Sequence, residues 1–288
     1  VSVPVNPWTF QLNDSGVILN DDTVPGVPFV DVTDVVGLSS APYRATKRDH
    51  EGVDGGFMDA EFETGRDIVI TGVAYSQGNS LDVYLDSLKA NFAPSTVLLP
   101  FYFVTRDGAL RVLFVKPLGV SYSVDTAFRT GEADIQISMY AEDPRIYDYA
   151  LQAYVLPVGA INFSGFGFNL GFNFGFGGSS VTSDGQYVVN GGNRPTPPIL
   201  TFTGPLTNPR LLNDNVGKEL DFTVNLVDNT FLLVVDTQYH TVRLNGANAR
   251  ATLTGPGWFH LLAGQNFLRL RADSGTGTVT VQYRNAWR

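Results

Sequence analysis

Apolar residues along this chain recur mostly at every second position. Asp67-Ile-Val-Ile-Thr-Gly-Val-Ala-Tyr, Leu110-Arg-Val-Leu-Phe-Val and Ala133-Asp-Ile-Gln-Ile-Ser-Met-Tyr are short, β-branched or alternating, and bounded by Gly, Pro or Asp. They predict strands. In the third, Ile135, Ile137 and Met139 share one face while Asp134, Gln136 and Ser138 share the other, the pattern of a half-buried antiparallel strand. One segment follows the helical period instead: Leu81, Tyr84, Leu85, Leu88 and Phe92, with Asn79 or Ser80 to cap it and Pro94 to stop it.

The C-terminal third repeats the strand pattern at short intervals. Thr230-Phe-Leu-Leu-Val-Val-Asp and Tyr239-His-Thr-Val-Arg-Leu predict a hairpin, and Asn245-Gly246 predicts a tight turn, because both residues tolerate positive φ. Arg250-Ala-Thr-Leu-Thr, Phe267-Leu-Arg-Leu-Arg-Ala and Thr278-Val-Thr-Val-Gln-Tyr-Arg predict further strands. Val279, Val281 and Tyr283 alternate with Thr280, Gln282 and Arg284. Regular short strands separated by Gly-rich turns argue for a β-sandwich. Asp143-Pro144-Arg145-Ile146-Tyr147 interrupts the pattern, since proline cannot extend a ladder. It suggests domains at 1–145 and 146–288, the first β-rich with one packed helix and the second a sandwich.

The Gly165–Gly178 stretch places Phe166, Phe168, Leu170, Phe172, Phe174 and Phe176 at every even position, with Gly or Asn between them. If extended, one face is all apolar and the other nearly bare. Such a row is an aggregation hazard unless covered. The Phe/Gly-rich segment 163–178 therefore reads as a covered strand or hairpin, within the sandwich or against a neighbouring subunit. A flexible Gly-rich connector is the alternative.

Composition narrows the chemistry. The 288 residues hold no cysteine, which excludes disulfides, zinc–thiolate sites and a cysteine nucleophile. Lys and Arg number 19 against 28 Asp and Glu, a net charge of −9. That sign disfavours stable binding to nucleic acid or to anionic membranes. The richest apolar run, Val97–Val104, is far short of the roughly 20 residues a membrane helix needs, so no membrane insertion is expected. The amino end, Val1-Ser-Val-Pro-Val-Asn-Pro, lacks the basic and apolar regions of a signal peptide.

Candidate catalytic groups are sparse. His50, His240 and His260 fall in no metal-ligand spacing. There is no nucleophile elbow and no phosphate loop. Glu61 and Glu63 would share a strand face at about 6–7 Å, within reach of a glycosidase pair, although acidic β-proteins yield such pairs as solvated faces. Asp21, Asp22, Asp31 and Asp34 show no calcium-loop spacing. Trp258 and Tyr239 could stack on sugar rings or fill a core. No cofactor or metal is implied, and the pattern suits a structural or binding protein rather than an enzyme.

Several ordered segments resemble the distal tail proteins, or minor tail proteins, of long-tailed non-contractile bacteriophages. These are Tyr140-Ala-Glu-Asp-Pro-Arg-Ile-Tyr147, Gly191-Gly-Asn-Arg-Pro-Thr-Pro-Pro-Ile-Leu-Thr-Phe-Thr-Gly204 with Asn208-Pro-Arg-Leu, Leu233-Val-Val-Asp236 with Val242-Arg-Leu-Asn-Gly246, and Trp258-Phe-His-Leu-Leu-Ala-Gly-Gln-Asn-Phe267 ending in Val281-Gln-Tyr-Arg-Asn-Ala-Trp287. The resemblance implies a mainly β chain: an N-terminal split-barrel-like domain with one packed helix, then a galectin-like β-sandwich. It implies a homo-hexameric ring, a baseplate hub at the distal end of the tail in the virion, made in the host cytoplasm. The ring would join the tail tube protein to tail-tip hub or receptor-binding proteins, with the tape measure protein inside before ejection. A ring that passes DNA without holding it needs a neutral or acidic wall. Asp54, Asp59, Glu61 and Glu63, clustered between Glu51 and Asp67, are the candidates for it, and a wall of Arg44, Lys47 and Arg48 would contradict it. The alternative is a carbohydrate-binding sandwich that takes a host-surface glycan. A glycoside hydrolase using Glu61 and Glu63 ranks behind both.

Overall fold

The computed structural model describes residues 3–13, 16–21, 28–39, 41–58, 62–76, 80–159 and 185–288. The chain is mainly β, with one α-helix among the described residues. Contacts divide it into two units, Val1–Tyr149 with Trp287–Arg288, and Ala150–Ala286. Residues 163–178, including Phe166, Phe168, Phe172, Phe174 and Phe176, lie outside the described residues.

In the first unit an antiparallel sheet runs in the order Ile18–Leu19, Phe10–Leu12, Leu99–Val104, Leu110–Tyr122, Glu132–Ala141, Arg66–Tyr75, Phe29–Val36. The pivot is the 13-residue strand Leu110–Tyr122, longer than the run that predicted it. Its first half pairs with Leu99–Val104 and its second with Ile135–Tyr140, and the register slips between Pro117 and Gly119. Proline has no N–H to give the ladder, and Gly119 takes φ of 136°, so the bulge bends one strand across two sheet segments. The bend wraps the sheet around a core of Phe10, Ile70, Phe101, Ile137 and Met139, among others. The helix Ser80–Asn91 buries Leu81, Leu85 and Leu88 on that core, as its spacing predicted, and Phe92 completes the stripe. Asp82 in its first turn and Lys89 in its last complement the helix dipole.

Asp143-Pro144 is a turn inside this unit. Asp143 accepts hydrogen bonds from the Arg145 amide at 3.1 Å and the Tyr147 hydroxyl at 2.6 Å. After it, Ile146–Asp148 pairs with Arg111 and Val112, so the chain leaves the unit at Tyr149, a few residues past the expected break at 145. Trp287 returns to the unit: its indole donates to Asp148 at 2.8 Å, and the Arg111 guanidinium lies 4.1 Å over its ring.

In the second unit, one sheet is ordered Gln152–Pro157, Thr278–Tyr283, Ile199–Thr203, Leu232–Asp236, Thr241–Leu244, Ala247–Asn248. The other is ordered Gln186–Asn190, Gly264–Arg271, Arg210–Asn213, Lys218–Phe222, Leu253–Pro256. Their apolar faces meet in one core: Leu200, Phe202, Val279 and Val281 from the first, Leu211, Leu220, Phe222 and Leu268 from the second. Phe202 and Phe222 meet there edge to face at 5.4 Å. The hairpin at Leu232–Asp236 and Thr241–Leu244 forms in register, and Asn245 and Gly246 take φ of 46° and 84° as the turn demands. One expected strand is corrected. Arg250–Thr252 is a short 3-10 turn, held by the Asn248 side chain accepting from the Arg250 amide and by Thr252 Oγ1 donating to the Ala249 carbonyl. The strand begins only at Leu253.

Candidate functional site

The outward face of the first unit's bent sheet is an organised polar surface. Alternation decides which side chains reach it. Along Arg66–Tyr75, residues Ile68, Ile70 and Ala74 are buried, so Asp67, Val69, Thr71, Val73 and Tyr75 turn outward. Along Glu132–Ala141, residues Glu132, Asp134, Gln136, Ser138 and Tyr140 do the same. Register then assembles rows across the strands. Asp31 lies beside Val73, and Val73 beside Asp134. Asp34, Thr71, Gln136 and Ser121 form the next row. Glu132 flanks Tyr75 at one end, and Asp67 flanks Tyr140 at the other.

Five exposed carboxylates, Asp31, Asp34, Asp67, Glu132 and Asp134, thus share one sheet face. The cations of these strand segments do not offset them. Arg66 is turned into the interior at 1% exposure, and Lys116, beside Tyr140 on the same face, is ion-paired with Glu142. A shallow depression of about 480 Å³ lies in the middle of the face, lined by Thr33, Thr71, Ser121, Ser123, Asp134 and Gln136 among others. Gly72 holds the strands close there: a Cβ on it would stand 2.3 Å from the Asp31 carbonyl oxygen.

Arg66 anchors the sheet from behind. Its Nη1 donates to the Gly37 and Leu38 carbonyls at 3.0 and 3.2 Å. Burial pushes its pKa below the usual guanidinium value, and the charge of Asp143 opposes that shift.

The second notable surface is the hairpin between the strands Phe29–Val36 and Arg66–Tyr75. Two short ladders build it, Tyr43–Arg44 with Phe62–Glu63 and Lys47–Asp49 with Gly56–Met58. Tyr43, Val53, Phe57, Met58 and Phe62 are all exposed along it.

The acidic residues chosen from the sequence fare differently. Asp54 is exposed near the hairpin tip. Asp59 and Glu61 lie outside the described residues. Glu63 has a side chain only 8% exposed, and it accepts from the Tyr43 hydroxyl at 3.0 Å and pairs with Arg288 Nε at 3.5 Å. It is a structural carboxylate at the base of the hairpin. Asp31, Asp34, Glu132 and Asp134 were not singled out as a group, because only the sheet order unites them. Arg44, Lys47 and Arg48 are exposed on the hairpin, on strands that do not belong to the acidic face. Among the described residues no cluster of three or more His, Asp or Glu converges as a metal site, and no helix is long and apolar enough to cross a membrane.

Residues 191–287 match the family model of the siphovirus-type tail component, C-terminal domain. All of that match except Trp287 falls within the second unit. The crystal structure of the SPP1 Dit protein, described as a paradigm of the hub adsorption apparatus in phages infecting Gram-positive bacteria, has the same fold. It aligns with a TM-score of 0.66 and 17% identity, over 96% of this chain and 98% of that one. Two structures of the phage p2 baseplate in its activated conformation, with Ca and with Sr, align at 10% identity over 94% and 96% of this chain, with TM-scores of 0.45 and 0.47. No curated protein matches the sequence. The distal-tail resemblance read from the ordered segments is borne out, and the tail-component match spans the region where those segments are densest.

Proposed function

We propose that this chain forms a distal hub ring of a siphophage tail. Six copies would close through the first unit and join the tail tube protein to the tail-tip hub or receptor-binding proteins. The tape measure would lie inside before ejection. The hub role named for the SPP1 protein and the shared fold support this reading. The observation that carries it is the acidic sheet face. In a wall of Asp31, Asp34, Asp67, Glu132 and Asp134 the carboxylates outnumber Lys116, which is already paired with Glu142, so contact with phosphates would release few counterions. At physiological salt its field decays over about 8 Å, and copies around a ring add to it. This face replaces Asp54, Asp59, Glu61 and Glu63 as the proposed channel wall, because it is a continuous sheet surface and Glu63 is taken up at the hairpin base.

The exposed hairpin supports self-assembly. Tyr43, Phe57, Met58 and Phe62 are 43–60% exposed, and burying one Phe stabilises by about 1.5–3 kcal/mol, so a second copy is a natural cover. The test is native mass spectrometry of the full chain beside the double variant Phe57→Ser/Phe62→Ser, with duplex binding measured at low salt. The reading expects a closed multimer that the variant dissociates and that does not retain duplex. A monomer at tens of micromolar, or duplex held through Arg44, Lys47 and Arg48, would overturn it.

A further inference from the structure

One groove of the second unit belongs to none of this. It has a volume of about 430 Å³ and is lined by Lys218, His240, Trp258, Phe259, His260 and Leu262, together with Pro195 and Val216. That size falls in the ~300–1,000 Å³ range of small-molecule sites.

Its geometry is set by two turns. Asp236 Oδ1 accepts from the amides of Gln238 and Tyr239 at 2.9 and 3.0 Å, which fixes the hairpin turn. The turn ends with His240 at φ of 54°, a left-handed conformation uncommon for a residue with a side chain. This lays the imidazole nearly parallel to the Trp258 indole, 4.5 Å away with 23° between the planes. Trp258 follows Gly255-Pro256-Gly257, where the Gly257 amide bonds the Glu219 carbonyl at 3.0 Å and ties the loop to the neighbouring strand. The Arg250 guanidinium lies 4.9 Å from the same indole.

The chemistry of the groove is one-sided. Its floor is aromatic and aliphatic, and its ionisable groups are one lysine and two histidines, with an arginine on the shared indole. Among the described residues no carboxylate lines it. In a chain of net charge −9 that is a local reversal of sign. Aromatic faces take the apolar faces of sugar rings, and the Lys218 ammonium favours an anion.

We propose that this groove binds a saccharide bearing an anionic group, with the ring against Trp258 and His240 and the anion toward Lys218. The proposal depends only on the second unit and stands or falls apart from the ring.

The experiment is a titration of the full chain followed by the Trp258 indole NMR resonance. The probes are glucose 6-phosphate, N-acetylglucosamine 6-phosphate, glucuronate, glucose and inorganic phosphate. At least one charged sugar should give saturable shifts at Trp258, and glucose and inorganic phosphate should each bind at least about tenfold more weakly. Lys218→Gln, at an exposed position, should weaken the charged sugar about tenfold and leave glucose unchanged, because a hydrogen bond to a charged group is worth about one decade. His240→Gly keeps the turn, since glycine accepts its φ, and removes the stacked ring, which should also weaken binding. Binding by the phosphosugars alone, or by glucuronate alone, identifies the anion. The proposal is overturned if none of the three charged sugars binds, if glucose binds equally well, or if Lys218→Gln changes nothing.

Discussion

The two units bury their sheets in different ways. In the second, two sheets cover each other, and Phe202 and Phe222 meet between them with no exposed surface. In the first, one sheet bends at Pro117–Gly119 around a core closed by a helix. It leaves a broad acidic face and a hairpin of exposed aromatics. A unit that exposes Phe57, Met58 and Phe62 on a narrow hairpin has much to gain from a partner. On the proposed reading, assembly falls to the first unit and recognition to the second.

The sharpest way to separate the units is to damage one core. Phe222→Ala should cost about 3–5 kcal/mol. In a calorimetric scan it should lower the transition of the second unit and leave that of the first in place. A common shift of all unfolding would show that the two cores are coupled.

Next in size is Arg66, which is fully buried. Arg66→Ala should cost about 2–5 kcal/mol, as a large cavity opens and the Gly37 and Leu38 carbonyls lose their donor. Arg66→Met fills the space without a charge to desolvate, and should sit within about 1.5 kcal/mol of the parent or above it. Urea unfolding of both variants gives the comparison. If Met is as damaging as Ala, the guanidinium itself holds the sheet.

Gly72→Val tests the acidic face directly. The new side chain meets the Asp31 carbonyl and must push the edge strand Phe29–Val36 away, at about 1–3 kcal/mol or more. Amide exchange should quicken along residues 29–36 and stay unchanged in the second unit.

The smallest effect is expected at high pH. Burial raises the Tyr84 phenol from its ordinary value of about 10 to about 12. Its folded pKa exceeds the unfolded one, so its contribution is complete below pH 10 and is lost as the pH climbs from 10 towards 12. Tyr84→Phe should flatten the alkaline decline of the first unit in that window, and a parent-like decline would assign it to other groups.

How much of this was legible in the sequence depended on how local the signal was. The Ile135–Met139 alternation, the helical stripe from Leu81 to Phe92 and the Asn245-Gly246 turn are written in contiguous residues, and each appears as read. The Leu110 strand runs through Pro117 because a bulge accommodates the missing donor. Pro144 looked like a boundary, yet Asp143 gathers its own turn there. The acidic face was hidden because Asp31, Asp34, Asp67 and Asp134 become neighbours only through strand order. The denser run from Glu51 to Asp67 drew attention instead, and the register scatters it: Asp54 to a hairpin tip, Glu63 inward to Arg288, Asp67 onto the face. The usable clue was the outward alternation of Asp134, Gln136 and Ser138, which already marked one strand of that face as polar.

Cryo-electron microscopy of the assembled full-length chain bears most directly on the division of labour between the units. The account predicts a closed ring built by the first unit, with Asp31, Asp34 and Asp134 facing the central opening and the Phe57–Phe62 hairpin buried against the next copy. A ring whose opening is lined by the second unit, or one that turns the Asp31–Asp134 face outward to solvent, would contradict it.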